Sequence, residues 1–577
     1  MKKGFNITLI FILTGVLLYP NAALAEKISS DKSYLRPPSI FGTDLTTDAE
    51  LQELMAYLGG DDLPKLNKEH FEDLKGIEDM IRGFLKEKVI PNVQEWEKQA
   101  NHEALENILG ELAALGILGI SVPEEYEGMG LRHYYTYRII KILSYAWPSL
   151  AVTVGVNASD SDVINKFGTE RQKEKFLKKL ASEGLGAIVI TEPGAGSDVM
   201  GMKTFARKEG KDYILKGTKT FISSVGIADV YLVFAVTDKG GEGQKKKISA
   251  FLVEKDTPGF SIGTIEHKMG QKASPTGELI FEDCRIPEEN MLGKPGEGME
   301  VLYYMLTGGR IGIASLALGI ARAAYDTASE YAKQREQFGK PIGEFPEIEE
   351  KLNNMKFYID ASELLIRYAS YLKDQNPNTP QDMNAMVTAA SMSKLYSSEK
   401  GTVVTLDALH MHGGYGYTED FPLERYLRDI IVTKTYEGTS QIQKRIIKKF
   451  ISLFLNSEIA IEKLMDSYFE AYPTIAGYEQ SMETIYNAMK EAEEGLRKAI
   501  EEKALTYHHS DLLVDLVITR LMLFETIFLA NQENAAQETV EKSLDNALLA
   551  SKFLRRNLND YKIFVFTGIK RDVKSSL

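Results

Sequence analysis

The sequence predicts an α+β protein in which a helical domain is followed by a β domain, a helical bundle and a further helical domain. Apolar residues recur at helical spacing on both sides of residues 187–290. Inside that stretch the segments alternate or run apolar, are rich in β-branched and aromatic residues, and are punctuated by Gly, Asp and Pro. At 577 residues the chain is also too long for one ordinary core, so several packed units are expected.

The first 25 residues have the pattern of an export signal. Lys2 and Lys3 precede an almost wholly apolar run at residues 5–19, and small residues follow at 21–25. The run is shorter than the roughly 20 residues that a membrane span needs. We therefore expect a signal peptide at residues 1–25 and an exported or membrane-associated protein in the periplasm. The alternatives are an uncleaved anchor, or a misassigned start codon upstream of a cytoplasmic enzyme.

Changes of pattern mark the domain boundaries. Pro37-Pro38 and Gly59-Gly60 indicate an extended or loosely packed arm, and from about Leu66 the sequence turns to helical periodicity. Strand-like segments begin near Ala187, and long helical patterns return beyond Met299. The predicted units are an N-terminal extension at 26–62, a helical domain at 63–186, a β domain at 187–298, a helical bundle at 299–450 and an additional helical domain at 451–577.

Composition excludes several classes of protein. The hydrophobic share of 44% and the charged share of 26% are those of a soluble globular chain. A net charge of −14 without a basic stripe argues against a nucleic-acid partner. The single cysteine, Cys284, permits neither an intrachain disulfide nor a thiolate metal cage. His410 and His412 are two apart, which suits a metal on a strand but not on a helix face; with no third ligand, no metal is expected.

The phrase from Thr191 to Asp198, TEPGAGSD, invites comparison with the dinucleotide-binding fingerprint. After Gly194 and Gly196 the third fingerprint glycine would fall where Val199 stands, and strands rather than a helix follow. A Rossmann phosphate loop is therefore not expected. The phrase is either a turn between strands or a loop that presents main-chain N–H groups to an anionic or carbonyl-rich ligand.

Five phrases occur in a fixed order between about residue 64 and residue 450. They are ITEPGAGSD, GTKTFISS, REQFGKPIGEF, HMHGGYGYTEDFPLERYLRD and TYEGTSQIQ. In these phrases the chain resembles the acyl-CoA dehydrogenase family. The resemblance implies an N-terminal helical domain, a central β-barrel-like domain and a C-terminal four-helix bundle, with FAD between the β domain and the C-terminal helices. The extra helical domain resembles the extension of very-long-chain members, which implies a long-chain substrate, a dimer and peripheral membrane contact.

In this family the glutamate that matches Glu437 is the base that removes the α-hydrogen of the thioester. An α C–H is a weak acid, so such a base needs desolvation and the carbonyl needs hydrogen-bond donors. Some branches carry the base just before the arginine matched by Arg310, but here that position is Gly309. Taken alone, Glu437 would be a solvated surface carboxylate. Its setting between Tyr436 and Gly438 favours the catalytic interpretation.

The resemblance also implies cofactor and substrate contacts. Near the isoalloxazine edge it places Ile188, Ile190, Thr191, Ser197, Phe221 and Ser223, with Phe221 against a ring face where many relatives have tryptophan. Near the pyrophosphate and adenosine it places Arg335, Gln337, Phe338, His410, Gly413, Gly414, Thr439 and Gln441, partly from a neighbouring subunit. Substrate contacts would come from Ser197, Arg310, Tyr436, Glu437 and Gly438.

Each of these residues has a plain structural alternative. The aromatic residues could be core residues, Arg335 a surface cation, and Gly413-Gly414 a turn that ends a helix. The chain also departs from the family at two points, with His410 and Pro346 where relatives commonly have glutamine.

The function that the resemblance implies is FAD-dependent α,β-dehydrogenation of a long-chain fatty acyl-CoA to a trans-2-enoyl-CoA, a step of fatty acid β-oxidation. Electrons would pass to electron-transfer flavoprotein or another acceptor, and the enzyme would be a homodimer or homotetramer. One alternative is an acyl-CoA oxidase that passes electrons to oxygen. The other is a non-catalytic scaffold that retains the fold.

Overall fold

The computed structural model of the protein describes residues 68–241, 245–375, 380–455, 479–530 and 537–566. The predicted signal peptide and N-terminal extension lie outside the described residues. The chain divides into two compact units. The large unit comprises Glu72–Ile359 and Ser393–Ser440; the small unit includes Asp360–Met392 and Gln441–Leu577.

Six helices of the large unit precede its sheet. They are α1 (Lys68–Phe84), α2 (Val93–Gln99), α3 (His102–Ala114), α4 (His133–Ala146), α5 (Pro148–Phe167) and α6 (Glu170–Ala181). The predicted apolar face of α1 buries Leu74 and Ile81, and a π-helical turn at Leu85–Val89 continues it towards Pro91. Helix α6 begins with a capping box, in which Thr169 and Gln172 each satisfy a main-chain N–H of the other.

The middle of the large unit is a sheet of eight strands. They are β1 (Gly186–Val189), β2 (Phe205–Glu209), β3 (Asp212–Ser223), β4 (Val230–Asp238), β5 (Lys247–Glu254), β6 (Phe260–Ile265), β7 (Thr276–Pro287) and β8 (Met291–Leu292). The strand order is β6-β7-β3-β2-β4-β5-β8, and β1 pairs in parallel with β4. Strands β4 and β5 are buried almost throughout, as their continuous apolar sequence predicts.

The 37-residue helix α7 (Gly298–Gln334) is the central helix of the large unit. One window has a mean hydropathy of 1.3, high enough for a membrane span, but 78% of that window is buried inside the protein. Small residues let α4 approach closely: a Cβ on Gly319 would lie 2.4 Å from the Lys141 carbonyl oxygen. Ser144 Oγ also donates to the Leu316 carbonyl at 2.6 Å. Helix α7 is therefore a core helix packed on α4 and α5.

Helical segments dominate the rest of the chain. A short hairpin, β9 (Glu336–Gln337) and β10 (Lys340–Pro341), is followed by α8 (Pro346–Asp374), α9 (Pro380–Met411), α10 (Leu423–Ile431) and α11 (Ser440–Leu455). In the small unit, α12 (Glu479–Glu501), α13 (Tyr507–Ala530) and α14 (Gln537–Phe566) pack on one another. Lys444 of α11 pairs with Asp511 of α13 at 2.7 Å. The predicted α+β order of helical, β and helical domains with extra C-terminal helices is confirmed.

Candidate active site

A cavity of about 60 Å³ lies in the large unit between α4, α5 and α7. One end is polar: His133 Nε2 lies 3.0 Å from Asp162 Oδ1, and Tyr304 donates to the same oxygen at 3.0 Å. The other end is lined by apolar side chains and begins seven residues further along α4, about 10 Å at the helical rise. The apolar lining includes Ile140, Ala151, Val152, Val156, Ala158, Ile188, Ile313 and Leu316.

Glu437 reaches this cavity from the loop that joins α10 to α11. Its φ is 53° and that of Gly438 is 91°, so two consecutive residues adopt left-handed backbone. This turn directs the Glu437 carboxylate against α7. A Cβ on Gly309 would lie 2.8 Å from Glu437 Oε2 and 2.9 Å from Cδ. The absence of a side chain at 309 therefore makes room for the carboxylate at 437.

The environment of Glu437 raises its basicity. Oε2 is buried, and burial raises the pKa of the carboxyl to about 7, while Arg310 and Lys394 act in the opposite direction. A base is most effective when its pKa is near the working pH. A carboxylate with this pKa is a stronger base than an exposed one and is still about half ionised at pH 7.

We expect this pKa to set the pH dependence of catalysis. As the predicted base, Glu437 would act in its carboxylate form, and burial raises its pKa to about 7, so the rate of flavin reduction at saturating substrate should rise through pH 7 and level off above it. Well below that pKa the rate should fall about tenfold per pH unit. Stopped-flow measurement of flavin bleaching across the pH range checks this, with Glu437→Gln as the matched variant that lacks the titrating group. A flat profile for the wild type would contradict the assignment.

Arg310 lies beside the base on α7. The residue is 3% exposed, and its Nε and Nη1 have no hydrogen-bond partner among the described residues. Burial lowers the pKa of its guanidinium to about 10, and Glu437 acts against this shift. A buried cation with unsatisfied donors is costly unless a ligand completes its hydrogen bonds. Arg310 therefore has the properties of the substrate contact predicted for it.

A buried ion pair shapes the loop predicted to meet the flavin edge. Lys219 Nζ lies 3.0 Å from Glu192 Oε1 and donates to the Ile190 carbonyl at 2.7 Å. The Glu192 carboxylate also accepts the main-chain N–H groups of Lys203 and Thr204. The phrases ITEPGAGSD and GTKTFISS are thus joined by one buried network, which fixes the main chain on both sides of Thr191.

The residues predicted near the isoalloxazine are in the β domain at or beside this network. Phe221 stands out because it is 64% exposed and has a φ of 57°. An aromatic ring held in left-handed backbone and presented to the surface is not the core residue of the structural alternative. Ile188 lines the cavity together with Glu437. Ile190, Thr191 and Ser223 are half-buried, and Ser197 is exposed.

The second predicted group of cofactor residues is largely exposed. Phe338 is 95% exposed with a φ of 52°, in the β9–β10 hairpin that also carries exposed Arg335 and Gln337. A Cβ on Gly413 or Gly414 would meet no atom within 4 Å, so this main chain faces open space. His410 is exposed, Thr439 is half-buried, and Gln441 is exposed in the small unit.

His412 is a core residue, in contrast to its exposed neighbour His410. Its Nδ1 lies 2.9 Å from the Ala408 carbonyl, and its ring stacks on Tyr331 at 4.1 Å. Across the described ranges, no group of three or more His, Cys, Asp or Glu residues is arranged to hold a metal.

Family models cover most of the chain. Those for the N-terminal, middle and C-terminal domains of acyl-CoA dehydrogenase match residues 72–184, 187–284 and 296–452. An acyl-CoA dehydrogenase of Bacillus subtilis is 41% identical over 376 residues, which is 64% of this chain and 96% of that protein. The chain belongs to the acyl-CoA dehydrogenase family. It is accordingly an oxidoreductase, and its cofactor is FAD.

Two solved members of the family show what the chain shares with relatives. Butyryl-CoA dehydrogenase from Megasphaera elsdenii is 38% identical, with a TM-score of 0.61, over 65% of this chain and 96% of that one. The FAD complex of an acyl-CoA dehydrogenase from Bacillus anthracis is 28% identical, with a TM-score of 0.72, over 86% of this chain and 89% of that one. The second match extends further along this chain than the family models do.

The residues present fit FAD. The rings of Phe221 and Phe338 are exposed to solvent, which is unfavourable for large apolar side chains. A bound flavin would cover such apolar surface. The glycine pair Gly413-Gly414 leaves main chain open for close approach by a bulky anionic group.

Two features of this site were not predicted from the sequence. Lys394 lies in none of the five phrases, yet it is fully buried and its charge acts on Glu437. The His133–Asp162 pair escaped notice because its members are 29 residues apart on different helices. A lysine inside an otherwise small and apolar helical segment was the signal available for the first; single-sequence spacing offered none for the second.

Proposed function

We propose that this enzyme catalyses α,β-dehydrogenation of an acyl-CoA, with Glu437 as the base that removes the α-proton. The observation that carries the proposal is the desolvated Glu437 carboxylate, which lines a cavity and lies against Gly309. The main-chain N–H of Glu437 is proposed as a donor to the negative charge that develops on the thioester carbonyl. FAD, when bound, accepts the β-hydrogen as hydride.

We further propose that the acyl group is short. The cavity measures about 60 Å³, against roughly 10–15 Å³ for one water molecule, so it holds only a few heavy atoms. Its apolar lining, which includes Ile140 and Leu316, suits a short alkyl chain. The butyryl-CoA dehydrogenase relative supports the same choice. The cavity does not favour the long chain expected from the C-terminal extension.

Bleaching of the flavin absorbance by a panel of saturated acyl-CoAs tests both proposals. The quantity compared is the bleaching rate constant divided by the apparent dissociation constant of the acyl-CoA. We expect its highest value with acyl groups of about four to six carbons, and at least about a tenfold lower value with sixteen. Gly155→Leu should shift the preference to still shorter chains, because a Cβ there already lies 3.5 Å from Ile140 Cδ1. Gly110→Ala, where the added Cβ meets nothing within 4 Å, is the control. Preference for long chains would refute the short acyl group, and no bleaching with any acyl-CoA would refute the function.

The electron acceptor is proposed from the family alone: electron-transfer flavoprotein or another carrier rather than oxygen. Reoxidation of the reduced enzyme in air by stopped flow distinguishes the two, because an oxidase would reoxidise rapidly. An assembly of two or four subunits is proposed on the same ground, and its mass in solution tests it.

Export of the enzyme remains a proposal that rests on residues 1–25. N-terminal sequencing of the native protein tests it. We expect the mature chain to begin near residue 26, whereas a chain in the cytoplasm that retains Met1 would refute export.

A further inference from the structure

Lys394 is a buried cation on α9 whose position is not explained by packing. Its exposed fraction is 0%, and its ammonium group donates to the main-chain carbonyl of Gly438 at 2.6 Å. Transfer of an ammonium group from water to the interior is costly unless it is paired or hydrogen-bonded. A methionine or leucine would fill the same space without that cost. What a methionine could not do is hold the carbonyl of the residue that follows Glu437.

The main chain at this point needs such support. Glu437 and Gly438 both have positive φ, at 53° and 91°. Left-handed backbone is unfavourable for a residue with a Cβ and persists only where the surroundings hold it. The turn is held from the α9 side by Lys394, and just beyond it Ser440 Oγ donates to Glu399 Oε1 at 2.6 Å. Lys394 thus contacts the turn itself.

The direction of the Glu437 side chain depends on this turn. If the Gly438 carbonyl lost its bond to Lys394, ψ of Gly438 would be free to change, and the left-handed conformation of the adjacent Glu437 would lose this support. The carboxylate could then leave its place 2.8 Å from the position of a Gly309 Cβ. The main-chain N–H of Glu437, which belongs to the same turn, would move as well. Both groups proposed to act on the thioester therefore belong to the turn that this hydrogen bond supports.

We propose that Lys394 is a positioning residue for the catalytic base, which through its bond to the Gly438 carbonyl holds the Glu437–Gly438 turn in the conformation that presents the carboxylate to the cavity. This inference rests on the role proposed for Glu437. Charge supports it: the Glu437 and Glu399 carboxylates favour the protonated form of Lys394, whereas Arg310 acts against it. Burial lowers the pKa of the ammonium to about 7, and Glu437 acts to keep it protonated.

The test compares Lys394→Met with Ser398→Ala in the FAD-loaded enzyme. Ser398 is on the same helix and donates to the Thr433 carbonyl of the same loop at 3.0 Å, before the turn. For Lys394→Met we expect full flavin content, little change in the apparent affinity for acyl-CoA, and a rate of bleaching lower by about 100-fold, as misplacement by about 1 Å produces. Ser398→Ala should keep its rate. Lys394→Gln, which retains a donor but not the charge, should recover part of the loss.

Three results would overturn the inference. They are a wild-type bleaching rate per bound flavin in Lys394→Met, an equal loss of rate in Ser398→Ala, and a loss that appears only as weaker substrate affinity. If Lys394→Met does not fold, Lys394→Gln and Lys394→Arg are compared with Ser398→Ala instead. Glu437→Gln distinguishes failure of the proposed function from failure of this inference. Normal bleaching in that variant would refute the assignment of Glu437 as the base, whatever the result for Lys394.

Discussion

Glu437→Gln is expected to keep its flavin and lose nearly all ability to be bleached by acyl-CoA. The amide is almost isosteric with the carboxylate, so the contact with Gly309 and the left-handed turn can persist. It cannot accept a proton, and removal of a general base costs typically about 10²–10⁴-fold in rate. We expect a loss near the upper end, because across the described part of the cavity lining the other carboxylate, Asp162, is already engaged by His133 and Tyr304.

Single-turnover bleaching with butyryl-CoA is the measurement for this variant. The flavin spectrum before mixing serves as the internal control for cofactor content. Asp407→Asn is the matched control variant, because Asp407 is a carboxylate on α9 that pairs with Lys351 at 3.0 Å and does not line the cavity. If Glu437→Gln were bleached at more than about a tenth of the wild-type rate, another group would have to accept the α-proton of the acyl-CoA.

The sequence predicted the parts of the fold that have a clear period. The strand segments between 187 and 290 were recognisable because β-branched and aromatic residues alternate there, and β3, β4, β5 and β7 lie within them. Hydrophobic periodicity is less informative for helix α9. Every residue from Thr388 to Ser398 is buried, so this stretch has no exposed face, and periodicity cannot indicate which side meets the base. For that reason the position of Lys394 beside the base could not be predicted from the helical pattern.

In the predicted site, too, some features could be identified from the sequence and others could not. Glu437 could be identified because a whole phrase surrounds it, and the structure then supplied the reason for Gly309, which is steric. Phe221 and Phe338 could be identified as aromatic residues in family phrases, but their exposure and positive φ could not be derived from spacing. Interactions between residues distant in sequence, such as Glu192 with Lys219, depend on strand register and loop path, which a single sequence does not contain.

The largest effect on stability is expected from Lys219→Met. The side chains of Lys219 and Glu192 are 0% and 6% exposed, and removal of the ammonium leaves a carboxylate buried without its counter-charge. Loss of one member of a buried ion pair destabilises a protein by about 3–5 kcal/mol. Burial works against ionisation of Glu192, yet Lys219 and nearby N–H groups hold the pKa of its carboxyl below the ordinary value. Thermal unfolding of the holoenzyme measures the effect, and Lys208→Met, which breaks the exposed pair with Glu288, is the control expected to change little.

The double variant Lys219→Met/Glu192→Gln separates the charge from the geometry of this pair. Neutralising Glu192 removes the buried unpaired charge, so thermal stability should recover by more than half. The amide oxygen can still accept one of the N–H groups of Lys203 and Thr204, but the Ile190 carbonyl has lost its donor. Flavin content should therefore recover less than stability does, because Ile190 and Thr191 form the predicted flavin edge. Equal recovery of both would mean that the pair stabilises the β domain without shaping the cofactor site.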